Sequence, residues 1–145
     1  MKERTLVLIK PDAISKRLSG VIIDRLERLG LTIKAAKVVT ATDALIRRHY
    51  AHLAGAPFMD DIVAFMLGKF NDVEDSRLYA FVFEGPGAVA KVRGEAGATD
   101  PDKALPHTIR GAFGQIKDGV MQNCLHASAG AQEAKDEIKL WFGDI

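Results

Sequence analysis

The segment Asn123-Cys124-Leu125-His126-Ala127-Ser128 sets an imidazole where a predicted strand ends, ahead of a polar-faced helix that carries Glu137. A neutral imidazole keeps a free lone pair near pH 7. It can accept a phosphoryl group if a neighbouring acceptor fixes which ring nitrogen holds the proton, and Glu137 is the candidate acceptor. The plain alternative is a surface histidine in a loop. Cationic and donor side chains recur at strand ends and in one long loop: Lys10 after the first strand, Arg93 on a helix, Thr99, and Arg110 in Thr108-Ile109-Arg110-Gly111. Arginine suits phosphate because its planar fork gives two hydrogen bonds to one group. No glycine-rich phosphate loop or dinucleotide fingerprint is present, so a phosphorylated ligand has to be held by side chains. Singly, Arg93 reads as a solvated helix residue and Lys10 as a strand-end charge. Together with His126 they make a stronger pattern.

These side chains need a scaffold, and the composition allows one. The chain has 145 residues with 48% hydrophobic content, a normal size for one core, so a single domain over 1–145 is expected. Lysine plus arginine total 20 against 19 acidic residues, which leaves no basic field for general nucleic-acid binding. The lone cysteine, Cys124, excludes an internal disulfide, and no cysteine or histidine cluster around it marks structural zinc. The apolar run 5–9 is too short for a signal peptide or a membrane span. A cytoplasmic protein with no membrane association is expected.

Residues 5–9 are apolar and β-branched and stop at Lys10-Pro11-Asp12, which predicts a buried central strand followed by a turn. Helical spacing predicts a helix over 19–29 ending at Gly30, and alternation predicts a strand over 31–40. Thr42 caps a helix to about residue 52, and a second helix runs over 58–67. A third strand occupies 78–83, with Tyr79, Phe81 and Phe83 on one face. A helix over 86–96 has Pro86 in its first turn and Gly97 at its end. Residues 98–122 read mostly as loop, of a length that is usually functional. A fourth strand over 121–125 and a helix over 128–142, capped by Ser128, complete the chain. This order matches an α+β, ferredoxin-like sandwich, with helices covering one face of a four-stranded antiparallel sheet.

Six groups of residues then carry a resemblance that runs from Glu3 to Phe142. They are Glu3-Arg4-Thr5-Leu6 with Ile9-Lys10-Pro11-Asp12, His49-Tyr50 with Pro57-Phe58, Lys91-Val92-Arg93, Gly97-Ala98-Thr99-Asp100-Pro101, Thr108-Ile109-Arg110-Gly111, and Asn123 with His126-Ala127-Ser128 ahead of Glu137-Ile138. In this order the chain resembles the nucleoside diphosphate kinases. The resemblance implies a ping-pong reaction in which His126, phosphorylated on its pros nitrogen, carries the γ-phosphate of ATP or another nucleoside triphosphate to a nucleoside diphosphate. It implies that Glu137 orients the imidazole, that Tyr50 lies near His126 and Lys10, and that Lys10, Arg93, Thr99 and Arg110 contact phosphate. Asn123 then touches the sugar and Phe58 stacks on the base. The cofactor implied is Mg2+, bound mainly through nucleotide phosphates and not by protein side chains. Ser128 has two readings held equally, helix cap or hydrogen bond near the active carboxylate. A homo-oligomer, tetramer or hexamer, is also implied.

The resemblance has breaks. The family's aspartate after His-Gly/Ala-Ser is Ala129 here, and the segments 68–79 and 110–123 run longer than usual. The departures support one competing class, a regulatory nucleotide-binding module. A sheet that binds single-stranded RNA through Tyr79, Phe81 and Phe83 is the other, but the balanced charge speaks against it. His49 and His52 read as a solvated helix face, Cys124 as a small buried hydrophobe in an apolar strand, and Trp141 as core or subunit contact.

Overall fold

The computed structural model describes residues 2–145. In chain order the elements are β1 (Glu3–Ile9), α1 (Pro11–Ser15), α2 (Ser19–Glu27), β2 (Thr32–Thr40), α3 (Asp43–His49), a 3-10 turn (Ala51–Leu53), α4 (Met59–Met66), a second 3-10 turn (Glu74–Ser76), β3 (Arg77–Gly85), α5 (Ala88–Ala96), α6 (Ile109–Phe113), β4 (Gln115–Lys117), β5 (Val120–Gln122), β6 (Leu125–Ala127) and α7 (Ala131–Phe142). Four strands form one sheet in the order β2-β3-β1-β6, with every neighbouring pair antiparallel. This is the expected ferredoxin-like arrangement. β4 and β5 form a separate hairpin.

The sheet is covered on both faces, which corrects the expectation of helices on one face. Leu6 and Leu8 of β1 pack with Ile46, Met59, Met66, Ile138 and Trp141, a layer built from α3, α4 and α7. Val7 and Ile9 point the other way into Ala13, Ile22, Leu26 and Val92, from α1, α2 and α5. The cause lies in β1 itself: Leu6 to Ile9 are all apolar, and successive residues of a strand face opposite sides, so both faces have to be dry. All four are fully buried. Each contributes about 1.5–3 kcal/mol by leaving water. Phe81 and Phe83 are buried in the α2/α5 layer with Tyr79 packed against it, as predicted. No strand-face aromatic platform is left there for stacking RNA bases. Among the described residues, no helix is long and apolar enough to cross a membrane.

Several boundaries differ from the predictions, and the one at Cys124 shapes the site. Pro11 does not close a simple turn; it opens α1, where a missing N–H costs nothing. Pro86 lies outside α5, whose N-cap is Gly87 at φ 63°. The predicted cap Thr42 does accept from the Leu45 N–H at 3.2 Å. The stretch read as loop contains α6 and the β4–β5 hairpin, elements too short to show a clear period. The predicted fourth strand breaks at Cys124, which sits at φ 73° rather than in a strand. β6 therefore starts later and holds His126 in its middle.

Candidate active site

His126 pairs opposite Leu8 of β1, so the central strand fixes its backbone. Its Nε2 lies 2.9 Å from Oε1 of Glu137 on α7, and both side chains are mostly buried. A carboxylate can only accept, so the hydrogen-bond network assigns the proton to Nε2 and leaves the lone pair on Nδ1. Ser128 does not cap α7, whose N-cap is Gly130. Instead its hydroxyl donates to the same Glu137 oxygen at 2.6 Å and accepts from the Leu6 N–H at 3.0 Å. That choice between the two readings of Ser128 follows from burial: a fully buried hydroxyl has to find partners where it stands. Burial lowers the pKa of His126 below the ordinary value, the Glu137 hydrogen bond opposes this, and the charges of Lys10 and Arg110 push the same way as burial. The imidazole is neutral at pH 7.

The charges of two buried cations, Lys10 and Arg110, act on it, and among the described residues neither makes an ion pair with a carboxylate. Lys10 is 8% exposed, and its Nζ donates to Asn123 Oδ1 at 2.8 Å. Burial, with the Arg110 charge, brings its pKa down to about 8. Arg110 is 6% exposed and spends its guanidinium on backbone: Nε to Asn123 O at 3.2 Å, Nη1 to Gly97 O at 2.9 Å and Nη2 to Leu125 O at 2.7 Å. Burial, then the Arg93 charge, lowers its pKa to about 10. Gly97 presents its carbonyl at φ 89°, where any Cβ would collide with Thr108. Asp12, which could have neutralised Lys10, turns Oδ2 to the Cys124 N–H at 3.0 Å, and its own pKa is raised by burial. Buried charges with no ion-paired carboxylate are costly, so an anion beside Lys10 and Arg110 would be favourable.

A cleft of about 650 Å³ opens next to these groups. Lys10, Tyr50, Phe58, Thr99 and Asn123 line it, and so do Ile62, Phe65, Val120 and Met121. Its lining mixes polar and apolar side chains, with Phe58 48% exposed. The Asn123 amide also donates to Thr99 O at 2.9 Å, which ties the long loop to the site. Of the other predicted residues, His126, Glu137, Ser128 and Arg110 lie outside the cleft lining, and Arg93 is exposed on α5 where its charge acts on Arg110. A larger groove of about 860 Å³ runs between the two chain ends and holds none of the predicted site residues.

The sequence reading missed His49. It is not on a solvated face; it is 7% exposed, and its Nδ1 accepts from Trp141 Nε1 at 3.0 Å. Its ring centroid lies 4.3 Å from that of His126. The available signal was the spacing of Ile46 and His49, which share the buried face of α3. Trp141 is core, as one of its two readings had it. The missing aspartate at Ala129 leaves the start of α7 with an acid all the same, because Glu133 lies in its first turn and reaches back over Gly130.

The chain matches the family model described as nucleoside diphosphate kinase over residues 3–145. It belongs to the nucleoside diphosphate kinase family. A nucleoside diphosphate kinase of Rhodococcus erythropolis is 46% identical over 143 residues, covering 98% of this chain and 96% of that one. The crystal structure of the Encephalitozoon cuniculi nucleoside diphosphate kinase superposes with a TM-score of 0.85 at 38% identity, over 98% of this chain and 90% of that chain. The Borrelia burgdorferi nucleoside diphosphate kinase, solved as a transition-state mimic with bound vanadate and ADP, gives a TM-score of 0.86 at 31% identity, over 99% and 88%. As a member of this kinase family the chain is a nucleotide-binding phosphotransferase.

Proposed function

We propose that this kinase-family chain moves the γ-phosphoryl group of a nucleoside triphosphate, ATP in particular, to a nucleoside diphosphate through a phosphohistidine at His126 Nδ1. The observation that carries the proposal is the commitment of His126 Nε2 to Glu137, which leaves Nδ1 as the free nucleophile within the field of the buried cations Lys10 and Arg110. In the first half-reaction the Nδ1 lone pair attacks the γ-phosphorus, the bond to the bridging oxygen breaks, and the diphosphate leaves with that electron pair. In the second, a terminal oxygen of the incoming diphosphate attacks phosphorus and the N–P electrons return to Nδ1. The ring is cationic between the two steps, and the Glu137 carboxylate offsets that charge through Nε2–H. Lys10, Arg93, Thr99 and Arg110 hold the phosphates by donors already positioned, Tyr50 stands at the phosphate end, Asn123 meets the sugar, and the base stacks on Phe58. Stacking does not read base identity, which supports broad nucleotide use.

Mg2+ fits this arrangement as a partner of the nucleotide. Among the described residues, the cluster with metal-type donors is His49, His126 and Glu137, and those groups are engaged with one another and with Trp141. Among the described residues that line the cleft Asp61 is the single carboxylate, so the nucleotide's own phosphates would have to supply most of the ion's ligands. When bound, it neutralises charge on the phosphates. The chain as one domain, assembled with copies of itself into a tetramer or hexamer in the cytoplasm, completes the proposal. Exposed edge strand β2, with Val38 66% exposed, supports the self-assembly, and the single free buried cysteine supports the reducing compartment.

Substitution of Glu137 by glutamine keeps the shape and removes the charge behind the ring. The expected result is a fall in kcat of at least about 10–100-fold, the scale seen for partners that orient metal-ligating histidines, with transfer retained. Steady-state kinetics with ATP and a second diphosphate checks this, and an unchanged kcat counts against the role given to Glu137.

The pH dependence follows from the two shifted groups. His126 has to be neutral and its pKa is lowered, so the acid limb of kcat/KM falls below the ordinary histidine value near 6.5. Lys10 has to be charged, and it loses its proton as the pH rises through about 8, so an alkaline limb is centred there in the free enzyme. A kcat/KM profile that stays flat well above pH 8, or one whose alkaline limb is unmoved in Lys10→Arg, removes Lys10 from this role.

A further inference from the structure

We propose that His49 is a positioning residue for the nucleophile, an uncharged ring whose tautomer is set by Trp141 and which walls His126 so that Nδ1 keeps facing the phosphoryl group. The proposal rests on His126 being the phosphoryl carrier. One hydrogen bond, from Nε2 to Glu137, anchors the His126 ring. The torsion about its Cβ–Cγ bond is broad by nature. Half a turn about that bond would put Cδ2 where Nδ1 stands, but it would also carry Nε2 away from Glu137, so the hydrogen bond opposes it. Smaller tilts keep that bond and swing the lone pair off the line of attack, and packing has to oppose those.

His49 supplies it. Its ring meets His126 edge to face, with centroids 4.3 Å apart and planes at 83°. The His49 ring is itself held between Tyr50, at 4.7 Å and 89°, and Trp141, at 5.6 Å and 78°. The Trp141 indole N–H can only donate, so the bond to His49 Nδ1 leaves that nitrogen bare and puts the proton of the neutral ring on Nε2. Donor atoms of His49, His126 and Glu137 lie within 4.8 Å of one another. A phenylalanine would fill the space but leave the buried indole N–H without an acceptor. A protonated histidine would press a cation on the ring that becomes cationic during transfer. The charges and titratable groups acting on His49 are His126, Lys10 and His52. Burial is the largest influence, and together they bring its pKa to about 2.

The test compares His49→Phe, His49→Gln and Trp141→Phe in the full-length protein. Glutamine can accept from Trp141 and keep an N–H where Nε2–H stood. His49→Phe is expected to lower the single-turnover rate of His126 phosphorylation by ATP about 10–100-fold, with KM for the diphosphate changed less than about twofold, and His49→Gln to regain about tenfold. Nitrogen-15 ring spectra of the unsubstituted protein should show His49 as the Nε2–H tautomer, unchanged from mildly acid to neutral pH. Trp141→Phe should broaden or shift that signal. Should His49→Phe fail to fold, the spectra and Trp141→Phe still decide. The proposal is overturned if folded His49→Phe phosphorylates at the unsubstituted rate, if glutamine and phenylalanine lose activity equally, if the loss lies in KM, or if the His49 ring titrates as an ordinary histidine. Absence of phosphohistidine in the unsubstituted protein would instead overturn the reading of His126.

Discussion

Replacement of His126 by alanine is expected to remove transfer between nucleotides by at least about 10⁴-fold, the scale seen when a covalent nucleophile is deleted, while the protein still folds. No other group can take its place: Lys10 is engaged with Asn123, His49 is tied to Trp141, and Cys124 is buried with its thiol pushed up to about 12. The fold survives because the strand pairing of β6 is backbone to backbone, and Glu137 keeps its bond from Ser128. Truncation leaves a cavity beside His49, which costs about 1–3 kcal/mol. A coupled assay with ATP and a second diphosphate, read beside a thermal melt, checks both halves. Transfer at more than about one-hundredth of the unsubstituted rate, with the melt preserved, contradicts the covalent route.

Replacement of Arg110 by alanine is expected to damage stability and catalysis together. The guanidinium holds the carbonyls of Gly97, Asn123 and Leu125, so it ties the end of α5 to both sides of the Cys124 turn. Without it those carbonyls lose a buried donor, at a total cost of about 3–5 kcal/mol. The turn positions Asn123 on one side and His126 on the other. Loss of the cation and of this geometry should lower kcat/KM by about 10²–10³-fold. Arg110→Lys keeps the charge but not the planar fork, so it should recover part of the catalysis and little of the stability. Denaturant midpoints and kcat/KM measured on the same preparations separate the two effects. An alanine variant with an unchanged midpoint would show that the three backbone bonds carry no stability.

Much of this site was legible in the sequence because its parts are local. The apolar run in β1, the histidine with a following carboxylate, and the cations at strand ends are each visible without the fold, and the family motifs gave their order. Three things were hidden for physical reasons. The Cys124 turn depends on Asp12 and Arg110, far off in sequence, so nothing near Cys124 announces its positive φ. Ser128 is of the residue type that caps helices, but α7 starts at Ala131 with Gly130 as its N-cap, and the Ser128 hydroxyl goes to the Leu6 N–H and Glu137 instead. His49 looks polar in a helix rich in arginine, and its burial comes from Trp141 at the other end of the chain. Covering helices on both faces were foreshadowed by the unbroken apolar run of β1, which has no polar side to turn to water.

Phosphoryl transfer through His126 is tested by incubating the purified protein with γ-labelled ATP and magnesium, isolating it, and then adding a different nucleoside diphosphate. An acid-labile, base-stable label on the protein at His126 that moves onto the added diphosphate is the expected result. Binding of ATP with no label on the protein, or a label that the diphosphate cannot remove, would contradict it.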